Sequence, residues 1–333
     1  MQTFLEPTLI LLILLATIFN FLNGVHDSSN IVATMIASRA FTPRVALGVT
    51  AIANFVAPFL FGVAVATTIG EDIVDANAIN NGVIIAALLS AISWNLVTWF
   101  VGIPSSSSHA LVGGLIGAVA VGAGLQAIYL DGMVKVLIAL FISPIVGFIG
   151  GFLFTKLILF LARGASLHIN WFFKRSQIIT AITLALSHGT NDAQKTMGII
   201  TLGLVTSGFL DTFYVPLWVV AISAGAIGLG TAMGGWRLIK TLGGKFYKIR
   251  PVDAFSAQTT STVVILGASL LGEPVSTTQV ISSSIMGVGS AERLSKVRWG
   301  VGRDMAMAWL VTIPITALLA AGIYWILVQI AIA

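Results

Sequence analysis

Eight apolar segments fill most of this 333-residue chain, near residues 7–37, 45–69, 78–129, 133–161, 177–207, 214–235, 252–291 and 304–331. A bilayer is crossed by about 20 apolar residues in helical form. Lipid offers the backbone no water to bond, so runs of this kind must satisfy their own amides and carbonyls as helices. Composition points the same way. The chain is 57% hydrophobic and 9% charged, with a mean hydropathy of +1.01, whereas a soluble domain carries about 25% charged residues. The reading is an all-α polytopic membrane protein.

Several chemistries are excluded early. Without cysteine there is no disulfide framework, thiolate metal site or iron–sulfur cluster. The four histidines, His26, His109, His168 and His188, lie far apart in sequence, which argues against a histidine-rich metal centre. The first apolar run, Leu9 to Phe19, follows only Glu6 and has no small-x-small cleavage pattern, so it is expected to stay as a transmembrane helix.

The net charge of +5 would suit a nucleic-acid binder in a soluble protein, but 14 of the 17 lysines and arginines fall in four loops, leaving Lys135, Lys156 and Lys195 elsewhere. The four loops hold Arg39 and Arg44; Arg163, Lys174 and Arg175; Arg237, Lys240, Lys245, Lys248 and Arg250; and Arg293, Lys296, Arg298 and Arg303. Basic loops mark the cytoplasmic side. The remaining loops carry Glu6, Glu71, Asp72, Asp75, Asp131 and Asp211. Membrane topology therefore accounts for the basic balance, and no nucleic-acid partner is expected.

Two apolar segments contain a polar, proline-started interruption: Pro104-Ser-Ser-Ser-Ser-His109 and Pro274-Val-Ser-Thr-Thr-Gln279. Acidic Asp75 and Asp131 flank the first, basic Arg250 and Arg293 the second. Each segment thus enters and leaves by one face, as a re-entrant helical hairpin. Its first arm, 78–103, is long enough to suggest a break. Three full spans then remain per half, and an odd number inverts the second half relative to the first. Both termini are expected outside.

The halves also resemble each other. Gly24-Val-His-Asp27 aligns with Gly189-Thr-Asn-Asp192, and the Pro104 motif with the Pro274 motif, in the same order and at nearly the same offset. The chain is read as one transmembrane domain of two inverted repeats, 1–165 and 166–333, each with three spans and one hairpin and with broken helices at the midplane. Secondary transporters are built this way.

Polarity placed in lipid costs about 2.5 to 3.5 kcal/mol for an ionised carboxylate at a helix centre, so it marks the chemistry. Asn20, Asn23, His26, Asp27 and Asn30 interrupt the first span; Ser187, Asn191, Asp192, Gln194 and Lys195 interrupt the fifth. Unwinding at Asn23, Gly24 and Asp27 would turn oxygens onto one spot. All-oxygen sets suit hard cations, with sodium the first candidate and proton coupling through the aspartates the competitor. A plain Asp27–Lys195 ion pair holding helices together is the bland alternative.

The hairpin tips suit the opposite charge. Proline at a helix start leaves following N–H groups unpaired, and Ser105 to Ser108 and Ser276 to Thr278 add hydroxyl donors there. Two such ends converging from opposite sides would surround a tetrahedral oxyanion; ordinary N-capping and helix packing are the alternative. Glycine runs such as Gly113-Gly114-x-x-Gly117 and Gly147-x-x-Gly150-Gly151 read as packing seams. Trp94, Trp99, Trp218, Trp236 and Trp325 read as interfacial anchors without chemistry.

Gly24-Val-His-Asp-Ser-Ser-Asn30, Pro104-Ser-Ser-Ser-Ser-His-Ala-Leu-Val-Gly-Gly114, His188-Gly-Thr-Asn-Asp-Ala-Gln-Lys-Thr-Met-Gly198 and Pro274-Val-Ser-Thr-Thr-Gln279 together resemble the inorganic phosphate transporter (PiT) family, over essentially the whole chain. The resemblance implies a sodium/phosphate symporter with an inverted-repeat fold, a homodimer in the plasma (cell inner) membrane, needing no cofactor beyond co-transported sodium or protons. By matching positions it implies Asn23, Asp27, Asn30, Ser187, Asn191, Asp192 and Gln194 as sodium ligands. Ser105, Ser106, Ser107, Ser276, Thr277 and Thr278 would hold phosphate. His26 stands where the family usually shows asparagine. Lys195 could neutralise Asp192, contact phosphate or face another helix; His109 and Gln279 would buttress the tips, with a satisfied interior histidine the alternative for His109; His188 would serve packing.

Other functions predict different behaviour. An anion channel has no need of paired buried aspartates, and a sulfate symporter fits the bare chemistry as well as a phosphate one. An enzyme fits worst: Ser108 and His109 are helix neighbours pointing about 100° apart, and no Walker, Gly-x-Ser-x-Gly or His-Glu-x-x-His motif is present.

Overall fold

The structure, a computed structural model, describes residues 6–166, 168–234 and 247–330. Arg237, Lys240, Lys245 and Trp236 lie outside the described residues. Eleven α-helices and two short 3-10 turns make up the described fold. The helices are α1 (Pro7–Ala37), α2 (Pro43–Leu60), α3 (Ala64–Gly70), α4 (Asn81–Val101), α5 (Ser107–Gly122) and α6 (Leu130–Leu161). Then follow α7 (Ile169–Thr206), α8 (Leu217–Met233), α9 (Pro251–Leu270), α10 (Thr277–Glu292) and α11 (Trp299–Gln329).

Five of these, α1, α2, α4, α6 and α11, are long and apolar enough to cross a membrane. Ile138, Ile142, Ile145, Ile149 and Leu153 of α6 are all exposed, as expected of a helix whose outer face meets lipid. The 38-residue α7 is not among the five. Its middle carries His188, Asn191, Asp192, Gln194 and Lys195, every one of them buried. That polar stretch is shielded by the other helices.

The two polar interruptions become helix–loop–helix hairpins with matching backbone geometry. Gly102 and Gly272 turn the chain at φ +78° and +77°, a conformation that glycine adopts without a Cβ penalty. Ser106 and Ser276 then cap 16-residue helices, accepting from His109 N at 3.1 Å and Gln279 N at 3.4 Å. Both hairpins have their feet tied together. Asp75 N donates to Ala127 O and Tyr129 N to Ile73 O, each at 2.9 Å, at the base of the first. Arg250, Asp253, Glu292 and Lys296 form an ion-pair clasp at the base of the second.

Helices pack across the halves in reciprocal pairs: α1 on α8 and α7 on α2, then α5 on α11 and α10 on α6. The glycine seams explain the closeness. A side chain at Gly117 would run into the Ala317 carbonyl of α11, and one at Gly287 into the Phe148 carbonyl of α6.

Three local expectations are corrected. The first and fifth spans do not unwind at Asp27 and Asp192, because α1 and α7 are helical throughout; their i−4 amides stay in the helix ladder, so side chains alone reach the site. The first arm of the first hairpin, α4, is unbroken. The break falls instead at residues 61–63, between α2 and α3, where Gly62 has φ +76°.

Candidate functional site

Asp27 on α1 and Asp192 on α7 are brought together at the crossing of these two helices. One oxygen from each, with a ring nitrogen of His188, lie within 4.8 Å of one another, and all three residues are buried. His188 Nε2 is 2.8 Å from Asp192 Oδ2 and 3.8 Å from Asp27 Oδ2. The i, i+4 spacing of His188 and Asp192 puts both on one face of α7. His26 Nδ1 stands 3.4 Å from Asp27 Oδ1.

Lys195, one turn further along α7, is 1% exposed and has its three donors satisfied. Its ammonium pairs with Asp192 Oδ1, donates to Ser108 Oγ at 2.6 Å and to Val275 O at 2.7 Å. It therefore ties an acid to both hairpin tips. Of the sequence alternatives for Lys195, neutralising Asp192 is the one observed; the simple Asp27–Lys195 pair is not. One lysine against two carboxylates leaves one negative charge in a buried place, where an uncompensated charge is strongly unfavourable. A bound cation or a proton on imidazole would cancel it.

The tips meet each other and the acids. Ser108 Oγ donates to Val275 O at 3.1 Å, and Gln279 Nε2 lies 3.4 Å from His109 Nε2. Thr277 Oγ1 donates to Asp192 Oδ2 at 2.8 Å and Thr278 Oγ1 to Asp27 Oδ1 at 2.7 Å. The second tip thus reaches both carboxylates, while the first reaches Asp192 through Lys195.

The residues picked from sequence have different surroundings. Asn30 Nδ2 bonds Asp27 Oδ1 and Thr278 Oγ1, each at 2.8 Å. Asn23, one turn before Asp27, is 1% exposed, and neither of its amide atoms has a partner among the described residues. Asn191 Nδ2 donates to Ser269 Oγ at 2.8 Å, leaving its buried Oδ1 without a partner there. Unpaired buried amides of this kind are uncommon, and the two carbonyl oxygens among them are atoms of the type that a hard cation takes.

Ser187 and Gln194 are held elsewhere. Ser187 Oγ donates back to Thr183 O at 2.7 Å. Gln194 Oε1 accepts from Val65 N at 2.8 Å and Ala66 N at 3.3 Å, while its Nε2 donates to Gly62 O at 2.8 Å. It caps α3 across the break between α2 and α3. Among the tip hydroxyls, Ser106 and Ser276 are N-caps. Ser105 Oγ accepts from Trp94 Nε1 at 2.7 Å, so Trp94 supports the tip. Ser107 is buried in the first turn of α5.

Ser108, His188 and Lys195 were named from the sequence without being assigned to the ligand sets. Two of them carried a signal, since His188 and Lys195 stand four residues before and three after Asp192, both helix-face spacings.

Comparison with known proteins agrees with the geometry. The profile of the phosphate transporter family matches residues 23–320. A Bacillus subtilis (strain 168) protein described as a "probable low-affinity inorganic phosphate transporter" is 46% identical over 322 residues, covering 96% of each chain. One of the same description from Rhizobium meliloti (strain 1021) is 43% identical over 321 residues, again covering 96% of each. A solved structure titled "The sodium-dependent phosphate transporter" superposes with a TM-score of 0.88 at 24% identity, covering 98% of this chain and 100% of its own. The family and these relatives are transporters and not enzymes. With the family match running through both aspartates and both tips, this chain, a multi-pass membrane protein, belongs to the phosphate transporter family.

Proposed function

We propose that the chain imports inorganic phosphate by symport with sodium, through alternating access between its two halves. The observation that carries this reading is the pair of hydrogen bonds from Thr277 to Asp192 and from Thr278 to Asp27. These hydroxyls belong to the tip suited to an anion, yet they are spent on carboxylates suited to cations. Sodium on Asp27 and Asp192, with Asn23, Asn30 and Asn191 beside them, would take over the carboxylate lone pairs and free both hydroxyls. The same ions cancel the negative charge that would repel phosphate. Ser105, Ser106 and Ser107 of the first tip and Ser276 of the second would frame the anion, with backbone amides at the helix starts as further donors. Gln194 and Ser187 would then act by holding the helices rather than by ligation.

The reading includes two inverted repeats, 1–165 and 166–333, a homodimer in the plasma membrane, and both termini outside. The 24%-identical structure titled as sodium-dependent supports the fold, and the oxygen- and amide-rich surroundings of the aspartates support sodium. A proton-coupled version is favoured by one observation, the His188 ring lying against both carboxylates, where an imidazolium would occupy the place of a cation.

Radiolabelled phosphate uptake into proteoliposomes separates these readings. An inward sodium gradient at clamped pH should drive accumulation, and Asp27→Asn and Asp192→Asn should each lower it roughly 100-fold, at the upper end of common coupling free energies. Accumulation with an inward proton gradient in sodium-free buffer, and not with sodium, would establish the proton version. Stronger competition by sulfate than by phosphate would overturn the choice of anion.

A further inference from the structure

A second polar feature lies beside the aspartates and is used by nothing above. A cavity of about 240 Å³ opens between α1, α4 and the end of α8, lined chiefly by Phe21, Val25, His26, Asn95, Leu96 and Met233. Most of its wall is apolar, but it has two buried polar residues. Asn95 is 3% exposed and neither its Oδ1 nor its Nδ2 has a partner among the described residues; His26 is 3% exposed and its Nε2 is likewise unpartnered. Left dry, each such group would forfeit about 1–3 kcal/mol. The cavity has space for several waters, each taking about 30 Å³ in the liquid, and these three atoms are the partners such waters need. The other ring nitrogen of His26 is the one 3.4 Å from Asp27.

We propose that this cavity is a water-filled vestibule through which a hydrated monovalent cation reaches Asp27, with Asn95 and His26 replacing part of its hydration shell on the way. The assignment rests on the reading of Asp27 as a cation ligand. Apolar walls with a polar end let the ion pass without trapping it.

The chain has no cysteine, so single replacements can be labelled without background. Val25→Cys places a thiol in the vestibule; Ile10→Cys places one on the same helix where the side chain is 51% exposed outside it. Purified monodisperse protein in proteoliposomes is treated with a membrane-impermeant, positively charged methanethiosulfonate. Val25→Cys should react at least about tenfold faster than Ile10→Cys, a difference of about 1.4 kcal/mol in access. Its modification should then abolish sodium-driven phosphate uptake. Failure of the charged reagent to react, whether or not a lipid-soluble maleimide does, overturns the vestibule; full labelling with unchanged uptake overturns its role as the cation route. If no variant takes up phosphate, labelling still decides whether the cavity holds water, so the vestibule and the symport reading fail separately.

Discussion

A lysine buried in a helical core needs an acceptor for each of three protons, and Lys195 finds them on three separate segments: Asp192 of its own helix, Ser108 of the first tip and Val275 of the second. Lys195→Met would leave Asp192 without its cation and both tips without their common donor. Removing one partner of a buried pair costs about 3–5 kcal/mol, so the variant should melt well below the parent in detergent, and saturating sodium should recover part of the loss by supplying the missing charge. Lys195→Arg should not restore uptake, because a planar guanidinium fork cannot address three acceptors arranged around a point charge. Parental uptake in Lys195→Arg would refute the tether. The two aspartates were legible in the sequence because charge in lipid has few excuses, and His188 and Lys195 were legible in principle from helix spacing. The engagement of Gln194 by α3 was not, since it depends on a break at residues 61–63 inside a segment that hydropathy reads as one continuous span. The meeting of Ser108 with Val275 was hidden for a similar reason: it joins residues 167 apart in sequence.

At the scale of elements, the hairpins were the most readable parts, because proline, serine caps and glycine turns are local signals that tertiary packing left in place. The expected unwinding of α1 and α7 failed on tertiary grounds. Side-chain donors of Asn30, Lys195, Thr277 and Thr278 reach the two carboxylates while the backbones of α1 and α7 stay helical. What holds the base of the second hairpin is an ionic clasp: Lys296 donates to Asp253 at 3.2 Å and to Glu292 at 2.9 Å, and Arg250 pairs with both acids. Burial pulls the Lys296 ammonium below its ordinary value of 10.5, with the Asp253 carboxylate opposing it. On alkaline titration Lys296 therefore loses its proton in the folded protein before it does in the unfolded chain. Between those two points the unfolded state binds more protons, so this residue's contribution to stability rises as pH climbs toward 10.5. Thermal melts of the parent and of Lys296→Gln across that alkaline window should diverge in the parent's favour as pH rises. A gap that is constant or shrinks would show that the clasp, and not the burial, governs this lysine.

For the whole molecule, the reciprocal pairing of α1 with α8, α7 with α2, α5 with α11 and α10 with α6 means that each half buries much of its surface against the other, beside interfaces of its own such as α7 with α9 and α4 with α5. Asp27 on α1 and Asp192 on α7 meet where the two halves interlock. The eight apolar segments located this arrangement along the chain but could not show the exchange, since hydropathy carries no information about which helix meets which. The exchange makes the sidedness of the loops a sharp test. With both hairpins doubling back and the halves inverted, Asn77, Gln126 and Asp211 should face one compartment, and Arg163 and Ser295 the other. All five are exposed, and single cysteines there can be read against an impermeant thiol reagent in oriented vesicles. The ties between Asp75 and Ala127 and between Ile73 and Tyr129 require Asn77 and Gln126 to label from the same side. Opposite labelling of that pair would make the first hairpin a true crossing, change the number of spans in the first half from odd to even, and remove the inversion on which alternating access between equivalent halves depends.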